Sequence, residues 1–155
     1  MEFLYRSTVG PLTIVSDGEY VTQIRFSAPV NPGQADKPIK AVCRYLDAYF
    51  SGDKPLLSSV PVKPKGTLFH LTIWKRLESI PYGETVTYGH LAKEYAVDHG
   101  IDKMSAQAIG QAVKANPIPI LIPCHRVIGS SGSLTGYSGG IQRKITLLKI
   151  ERHQI

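Results

Sequence analysis

The sequence predicts a mixed α/β chain of the α+β kind: a small sheet-plus-helix part first, then a mostly helical part. Three observations predict it: strand-like runs on either side of Asp17-Gly18, one amphipathic helix before residue 52, and a series of short capped helices after a proline-rich stretch.

Pro11 to Asp17 and Tyr20 to Phe26 read as two strands joined at Asp17-Gly18, a dipeptide suited to a tight hairpin because glycine tolerates positive φ. After the polar loop Ser27 to Lys37, Pro38 fits the first turn of a helix, and Ile39, Val42, Cys43, Leu46, Tyr49 and Phe50 recur at helical spacing up to Gly52. Cys43 lies within that stripe and reads as a small buried apolar side chain without chemistry. Pro55 to Gly66 is proline-rich without helical period. The expected organisation is therefore an N-terminal α/β domain over 1–54, a linker over 55–66 and a C-terminal domain over 67–155.

Thr67 caps a predicted helix whose Phe69, Ile73, Trp74, Leu77 and Ile80 point one way, before Pro81-Tyr82-Gly83 turns the chain. Thr87 precedes a helix over Tyr88 to Ala96, and Ser105 precedes another over Ala106 to Ala115, with the polar loop Val97 to Lys103 between them. Two short helices joined by a turn resemble a helix-turn-helix. The second carries small residues at Ala106, Ala108, Gly110 and Ala112, while Lys103, Gln107 and Lys114 fall near one face. That face reads either as a phosphate-contacting surface or as an ordinary solvated one. A last helix is predicted over Arg143 to Glu151.

With 155 residues, 43% of them hydrophobic, the chain is long enough to bury a core as one compact domain or two small ones, which excludes a disordered chain. The net charge of +6 favours an anionic partner. Met1 to Arg6 shows no basic segment followed by an apolar run, and no stretch reaches the roughly 18 apolar residues of a membrane span, so a cytoplasmic location without membrane contact is expected. Two cysteines are too few for a disulfide framework and lack the spacing of a structural zinc site. No metal and no cofactor are expected.

Ile118-Pro119-Ile120-Leu121-Ile122-Pro123 is apolar and stiffened by prolines, then gives way abruptly to Cys124-His125-Arg126. A cysteine becomes a strong nucleophile when a base, a cation or backbone N–H groups favour its thiolate, and His125 and Arg126 are the adjacent candidates. Neighbouring side chains need a turn or a bridging water before one takes the other's proton, so the pair also fits a structural cysteine beside a surface histidine. Downstream, the glycine- and serine-rich Gly129 to Gly140 has Tyr137 as its one aromatic. Such a loop either offers backbone groups and a ring to a base or is simply flexible surface. Glu151 either orients a histidine or is solvated.

Taken together, Pro123-Cys124-His125-Arg126-Val127 and Tyr137-Ser138-Gly139-Gly140, in this order and spacing, closely resemble the O6-alkylguanine-DNA alkyltransferase family. The likeness extends through Ile80-Pro81-Tyr82-Gly83-Glu84, Thr87-Tyr88, Asn116-Pro117 and Pro119 to Ile122, covering nearly all of 67–151. It implies a ribonuclease H-like first domain and a winged helix-turn-helix-like second one that binds DNA and holds the active site. It further implies single-turnover repair, in which Cys124 takes the alkyl group from O6-alkylguanine, or O4-alkylthymine, and keeps it as S-alkylcysteine.

By the same resemblance His125 acts as base through a water, Glu151 orients it, Asn116 braces the turns around the cysteine, and Tyr88 hydrogen-bonds the base and helps expel it. Val127 offers its carbonyl to the exocyclic amine, Tyr137 lines the alkyl pocket and Ser138 offers its N–H to O6. Lys103, Gln107, Gly110, Lys114 and Arg126 are the expected DNA contacts, on duplex DNA entered by the minor groove with the base flipped out, by a protein monomeric in solution. One departure is Gln107, where the family usually has an arginine that fills the gap left by the extruded base. The rival readings are an alkyltransferase-like protein that binds lesions without repairing them, in which the cysteine is replaced, and a cysteine hydrolase that turns over.

Overall fold

Strands β1 (Glu2–Ser7), β2 (Gly10–Ser16) and β3 (Val21–Arg25) form an antiparallel sheet in that spatial order in the computed structural model, which describes residues 1–134 and 136–153. Thr135, in the glycine- and serine-rich loop, and Gln154 and Ile155, at the end of the expected C-terminal domain, lie outside the described residues. The hairpin forms at the expected dipeptide: the Asp17 carboxylate accepts from the Glu19 and Tyr20 amides at 2.9 and 2.8 Å, and Gly18 sits at φ 99°. β1 has no counterpart in the sequence reading, since five of its six residues are half-buried and no clean alternation marks it.

Helix α1 (Lys37–Phe50) packs on the sheet, capped by Asp36, whose side chain accepts from the Ile39 amide. Its buried stripe is Pro38, Ile39, Val42, Tyr45, Leu46 and Tyr49, so Tyr45 joins it while Cys43 and Phe50 are only half-buried. Burial, with Asp47 nearby, pushes the Cys43 thiol up to about 11, which keeps it protonated and inert. The proline-rich stretch is not slack: the Val21 amide donates to the Pro61 carbonyl and the Lys63 amide to the Val21 carbonyl, laying 61–63 parallel along β3.

Helices α2 (Leu68–Leu77), α3 (Tyr88–Asp98) and α4 (Ala106–Lys114) follow. Thr67, Thr87 and Ser105 cap them as expected, each side chain accepting from the amide three residues on, contacts worth about 1 kcal/mol apiece. α3 runs two residues past Ala96, so the following loop is shorter than the sequence implies. The wholly interior Trp74 ties α2 to α4 by donating from Nε1 to the Ala112 carbonyl at 2.8 Å.

Two short parallel strands, β4 (Val86–Thr87) and β5 (Val127–Ile128), join the start of α3 to the segment after Cys124. Helix α5 (Ile141–His153) starts two residues before Arg143 and buries Lys144, Leu147, Leu148 and Glu151. A single apolar core runs from Leu12, Ile14 and Leu46 through Trp74 and Ile109 to Leu147, so both halves of the chain close on the same interior. None of the described helices is long and apolar enough to cross a membrane.

Candidate active site

The residues around Cys124 are set by a succession of tight turns. Asn116 accepts the Ile118 amide on Oδ1 at 3.0 Å and donates from Nδ2 to the Ile122 carbonyl at 2.7 Å, so one side chain spans the whole segment. Between those points the Leu121 amide reaches the Pro119 carbonyl at 2.9 Å, which forces Ile120 to φ 73°. A β-branched residue in the left-handed region costs on the order of 1–3 kcal/mol, and here it is wholly buried in the core that offsets the strain. The Cys124 amide then reaches back to the Ile122 carbonyl at 2.8 Å, and Cys124–Arg126 form a 3-10 turn. From the sheet, the Ile24 amide donates to the Pro117 carbonyl at 2.8 Å.

That turn places Cys124, His125 and Arg126 inside the protein, with His125 and Glu151 wholly inaccessible to solvent. His125 Nε2 hydrogen-bonds Glu151 Oε2, and its Nδ1 has no hydrogen-bond partner among the described residues. The carboxylate also accepts from Arg126 Nε (2.8 Å), Arg126 Nη2 (3.2 Å), the Gly83 amide (3.0 Å) and the Tyr49 hydroxyl (2.6 Å).

Burial works to raise the Glu151 carboxyl, but His125 and Arg126 overcome it and hold the group down to about 2. Burial lowers His125 below the ordinary imidazole value against the pull of Glu151, so the ring is neutral at physiological pH. Burial pushes the Cys124 thiol up to about 11, opposed by the Asn116 amide, the Lys144 ammonium and the Tyr137 hydroxyl. A thiol held so high needs a base to ionise it, and a neutral imidazole with a free nitrogen lies next to it in the chain.

Tyr137 is buried beside Cys124: burial and the thiolate charge push the phenol well above its usual range, while its hydroxyl favours the thiolate. Phe26 from the end of β3 packs edge-on against the Tyr137 ring at 6.0 Å. A Cβ on Gly139 would lie 2.6 Å from the Phe26 ring and 2.7 Å from that of Tyr137, so glycine alone permits this packing. Arg143 fastens the loop to the sheet half by donating to the Val9 carbonyl at 3.0 Å and the Gly139 carbonyl at 3.1 Å. The Val127 carbonyl accepts from Lys144 Nζ at 2.5 Å, and Ser138 is exposed at the loop surface.

Gln107, Gly110 and Lys114 share an open hollow with Tyr88, Gln111, Ser130 and Gly136, and Tyr88 in turn feels the charge of Cys124. Lys103 lies apart from them, lining a second hollow between α3 and the loop before α4. Arg126 corrects the sequence reading: it is buried, and its guanidinium is spent on Glu151 and, at 2.7 Å, on the Ile80 carbonyl. Only 7% of it is exposed, which leaves little of the guanidinium to meet a phosphate.

Two neighbours of the reactive cluster went unread in the sequence. Tyr49 belongs to the helical stripe of α1 and looks like plain core, while Lys144 looks like one more surface lysine of a basic chain. The only available hint for Lys144 was its spacing of seven residues from Glu151, which puts both on one helix face. Among the described residues no group of three or more His, Cys, Asp or Glu side chains is arranged to hold a metal ion.

Residues 2–64 match the family model of the 6-O-methylguanine DNA methyltransferase ribonuclease-like domain, and residues 68–153 match that of the 6-O-methylguanine DNA methyltransferase DNA binding domain. The chain is 42% identical to the methylated-DNA–protein-cysteine methyltransferase of Haemophilus influenzae, over 96% of this chain and 84% of that one. It is 38% identical to the protein of the same description from Methanosarcina acetivorans, over 96% of each. A solved structure of Mycobacterium tuberculosis OGT in complex with DNA superposes with a TM-score of 0.83 at 38% identity, covering 99% of this chain and 93% of that one.

Proposed function

Since the chain belongs to the 6-O-methylguanine DNA methyltransferase family, we propose that it repairs O6-alkylguanine in DNA by moving the alkyl group onto Cys124, once per molecule. Direct-reversal repair is its activity and DNA its partner. The observation that carries the choice of residue is the buried relay: a thiol held protonated by burial, next to a neutral imidazole whose other nitrogen is fixed on a carboxylate.

In this reading His125 Nδ1 takes the Cys124 proton through a bridging water, and Glu151 stabilises the imidazolium that forms. The thiolate attacks the alkyl carbon in line, the carbon–O6 bond breaks, and its electron pair leaves with the guanine. The Lys144 ammonium, which favours the thiolate, supports the sulfur while it is charged. The product is a thioether with no acyl carbon for water to attack, so the protein is spent after one transfer. Tyr137 lines the alkyl site, Ser138 offers its amide to O6, and Tyr88 hydrogen-bonds the base and helps it leave the stack.

Asn116 keeps the strained turns in place. The Val127 carbonyl, which Lys144 now holds, must be shared or released when an exocyclic amine arrives. The base flips into this site because O6 is out of reach within the stack, and α4 enters the minor groove, with Gln107, Gly110 and Lys114 on the DNA side. Lys103 contributes from its own hollow. In this division residues 1–54 brace the site, 55–66 connect, and 67–155 bind and react; a monomeric state and cytoplasmic residence belong to the same proposal.

The test is intact-protein mass spectrometry after mixing with a duplex containing one O6-methylguanine, followed by peptide mapping. One methyl on Cys124, never exceeding one per protein, is the expected result. Lesion binding without any adduct would instead mark a damage sensor, and continuing turnover a hydrolase-like enzyme.

A second expected result concerns Gln107, which hydrogen-bonds but brings no charge. Gln107→Arg should speed repair of duplex substrate a few-fold while leaving reaction with free O6-methylguanine base unchanged, read by single-turnover kinetics on both. Equal rates on the duplex would mean that another side chain already fills the gap.

A further inference from the structure

The Glu151 carboxylate receives donors from both halves of the chain, and the one from the N-terminal half is Tyr49 on α1. A carboxylate has about four lone-pair sites. Glu151 already accepts from His125, from the Gly83 amide and twice from Arg126, so the phenol is not required to satisfy it. A tyrosine buried only for packing needs nothing more than any acceptor for its hydroxyl. This one donates at 2.6 Å to Oε2, the same oxygen that holds His125, and lies 3.4 Å from His125 Nε2 itself.

The ring packs edge-on against His125, Tyr82 and Phe50, with centroids 6.3, 5.8 and 5.2 Å away. Donors that share one oxygen each weaken its basicity, and Oε2 takes the phenol beside His125 Nε2 and Arg126 Nη2. The phenol therefore lessens the hold of Glu151 on the proton at Nε2. That keeps the imidazolium from being over-stabilised and leaves Nδ1 a serviceable lone pair.

We propose that Tyr49 is a positioning residue for alkyl transfer, through which the N-terminal half sets the basicity of His125 by way of Glu151. The inference rests on the roles given above to Cys124, His125 and Glu151. The charged and titratable groups acting on Tyr49 or His125 are Glu151 and Lys144 from α5, Arg126 from the turn and Tyr82 from the connection after α2. Tyr45, on Tyr49's own helix, sits in the same field of Arg126 and Glu151.

The direction of the effect is fixed. Without the hydroxyl, Oε2 becomes more basic and favours the imidazolium, so His125 stays protonated to higher pH and the acid side of the transfer profile moves up. Tyr49→Phe keeps the ring. Single-turnover transfer from an O6-methylguanine duplex to the full chain should show its acid limb displaced upward by roughly one unit, so that the rate falls roughly ten-fold on that limb and stays near the wild-type value on the alkaline plateau. Lesion binding, measured with each variant in a Cys124→Ala background, should be unchanged. Replacing Tyr49 with 3-fluorotyrosine, a stronger donor of nearly the same shape, should displace the limb downward.

A purely structural tyrosine would lower the rate equally at every pH or not at all, and would leave the fluorotyrosine profile on the wild-type curve; either result overturns the proposal. If Tyr49→Phe does not fold, the fluorotyrosine protein alone decides, since an unmoved limb sinks the idea. A wild-type protein that takes up no methyl group overturns the underlying transfer reading, and is distinguished from failure of the Tyr49 proposal by that control.

Discussion

Cys124→Ala is expected to abolish alkyl transfer while leaving lesion binding intact. The substitution removes one sulfur from a site that is 2% exposed, and with it that thiol's contacts to the Asn116 amide and the Tyr137 hydroxyl, but the turn does not hang on the sulfur. The segment is braced instead by Asn116 and by the backbone contact from Cys124 to the Ile122 carbonyl, both of which alanine preserves. The small cavity left behind costs about 1 kcal/mol, well within what a domain of this size tolerates. Tyr88, Tyr137 and the α4 face remain in place to receive a flipped base.

No other thiol takes over. Cys43, the second of the two cysteines, sits on α1 with its thiol pushed up to about 11, and its surroundings contribute neither a base nor a cation that overcomes burial. The check pairs intact mass after incubation with methylated duplex against fluorescence anisotropy of the same duplex. A methyl group lost from DNA in the presence of the alanine variant would mean that the acceptor lies elsewhere and that the relay has another purpose.

Much of this site was legible because its pieces lie close in sequence or at motif spacing. Thr67, Thr87 and Ser105 announce their helices by local hydrogen bonding, and Pro123-Cys124-His125-Arg126-Val127 is contiguous. The rest depends on contacts between distant elements, which periodicity does not carry. Tyr49 and Glu151 are 102 residues apart, and an amphipathic stripe shows only that Tyr49 faces inward, not what it meets there.

Arg126 was misread for the same reason. An arginine next to a candidate nucleophile in a chain with a charge of +6 suits a phosphate, yet its true partner is the last acidic residue of α5. Lys144 shows the converse: a residue type that usually marks surface is wholly buried here, held by the Val127 carbonyl and two aromatic rings. The first strand and the run of 61–63 along β3 escaped because half-buried edge segments lack a clean alternation.

Glu151→Gln is expected to be the most damaging conservative change, in stability as well as rate. The glutamine side chain has nearly the same shape but replaces one acceptor oxygen by a donor and removes the charge, so donors from Arg126, His125 and Tyr49 are left facing an NH2 or a neutral carbonyl. Losing the anion of a buried pair while its guanidinium remains costs roughly 3–5 kcal/mol, because the surviving charge stays desolvated. Transfer should fall by roughly 100-fold or more, since His125 loses both its orientation and the charge that stabilises its protonated form.

The pH dependence separates this cause from general disruption. Glu151 has a folded pKa of about 2, depressed from an ordinary carboxyl value of 4.5, so its contribution to stability is fully present above the ordinary value and is lost as pH falls through the folded one. The wild-type protein therefore surrenders over that window what the variant never had. The gap in melting temperature between the two should be widest near neutrality and close progressively as pH drops below about 4.5, as read by thermal unfolding across acid buffers. A gap that stays constant through that range would show that the damage comes from misfit of the amide and not from loss of the buried charge.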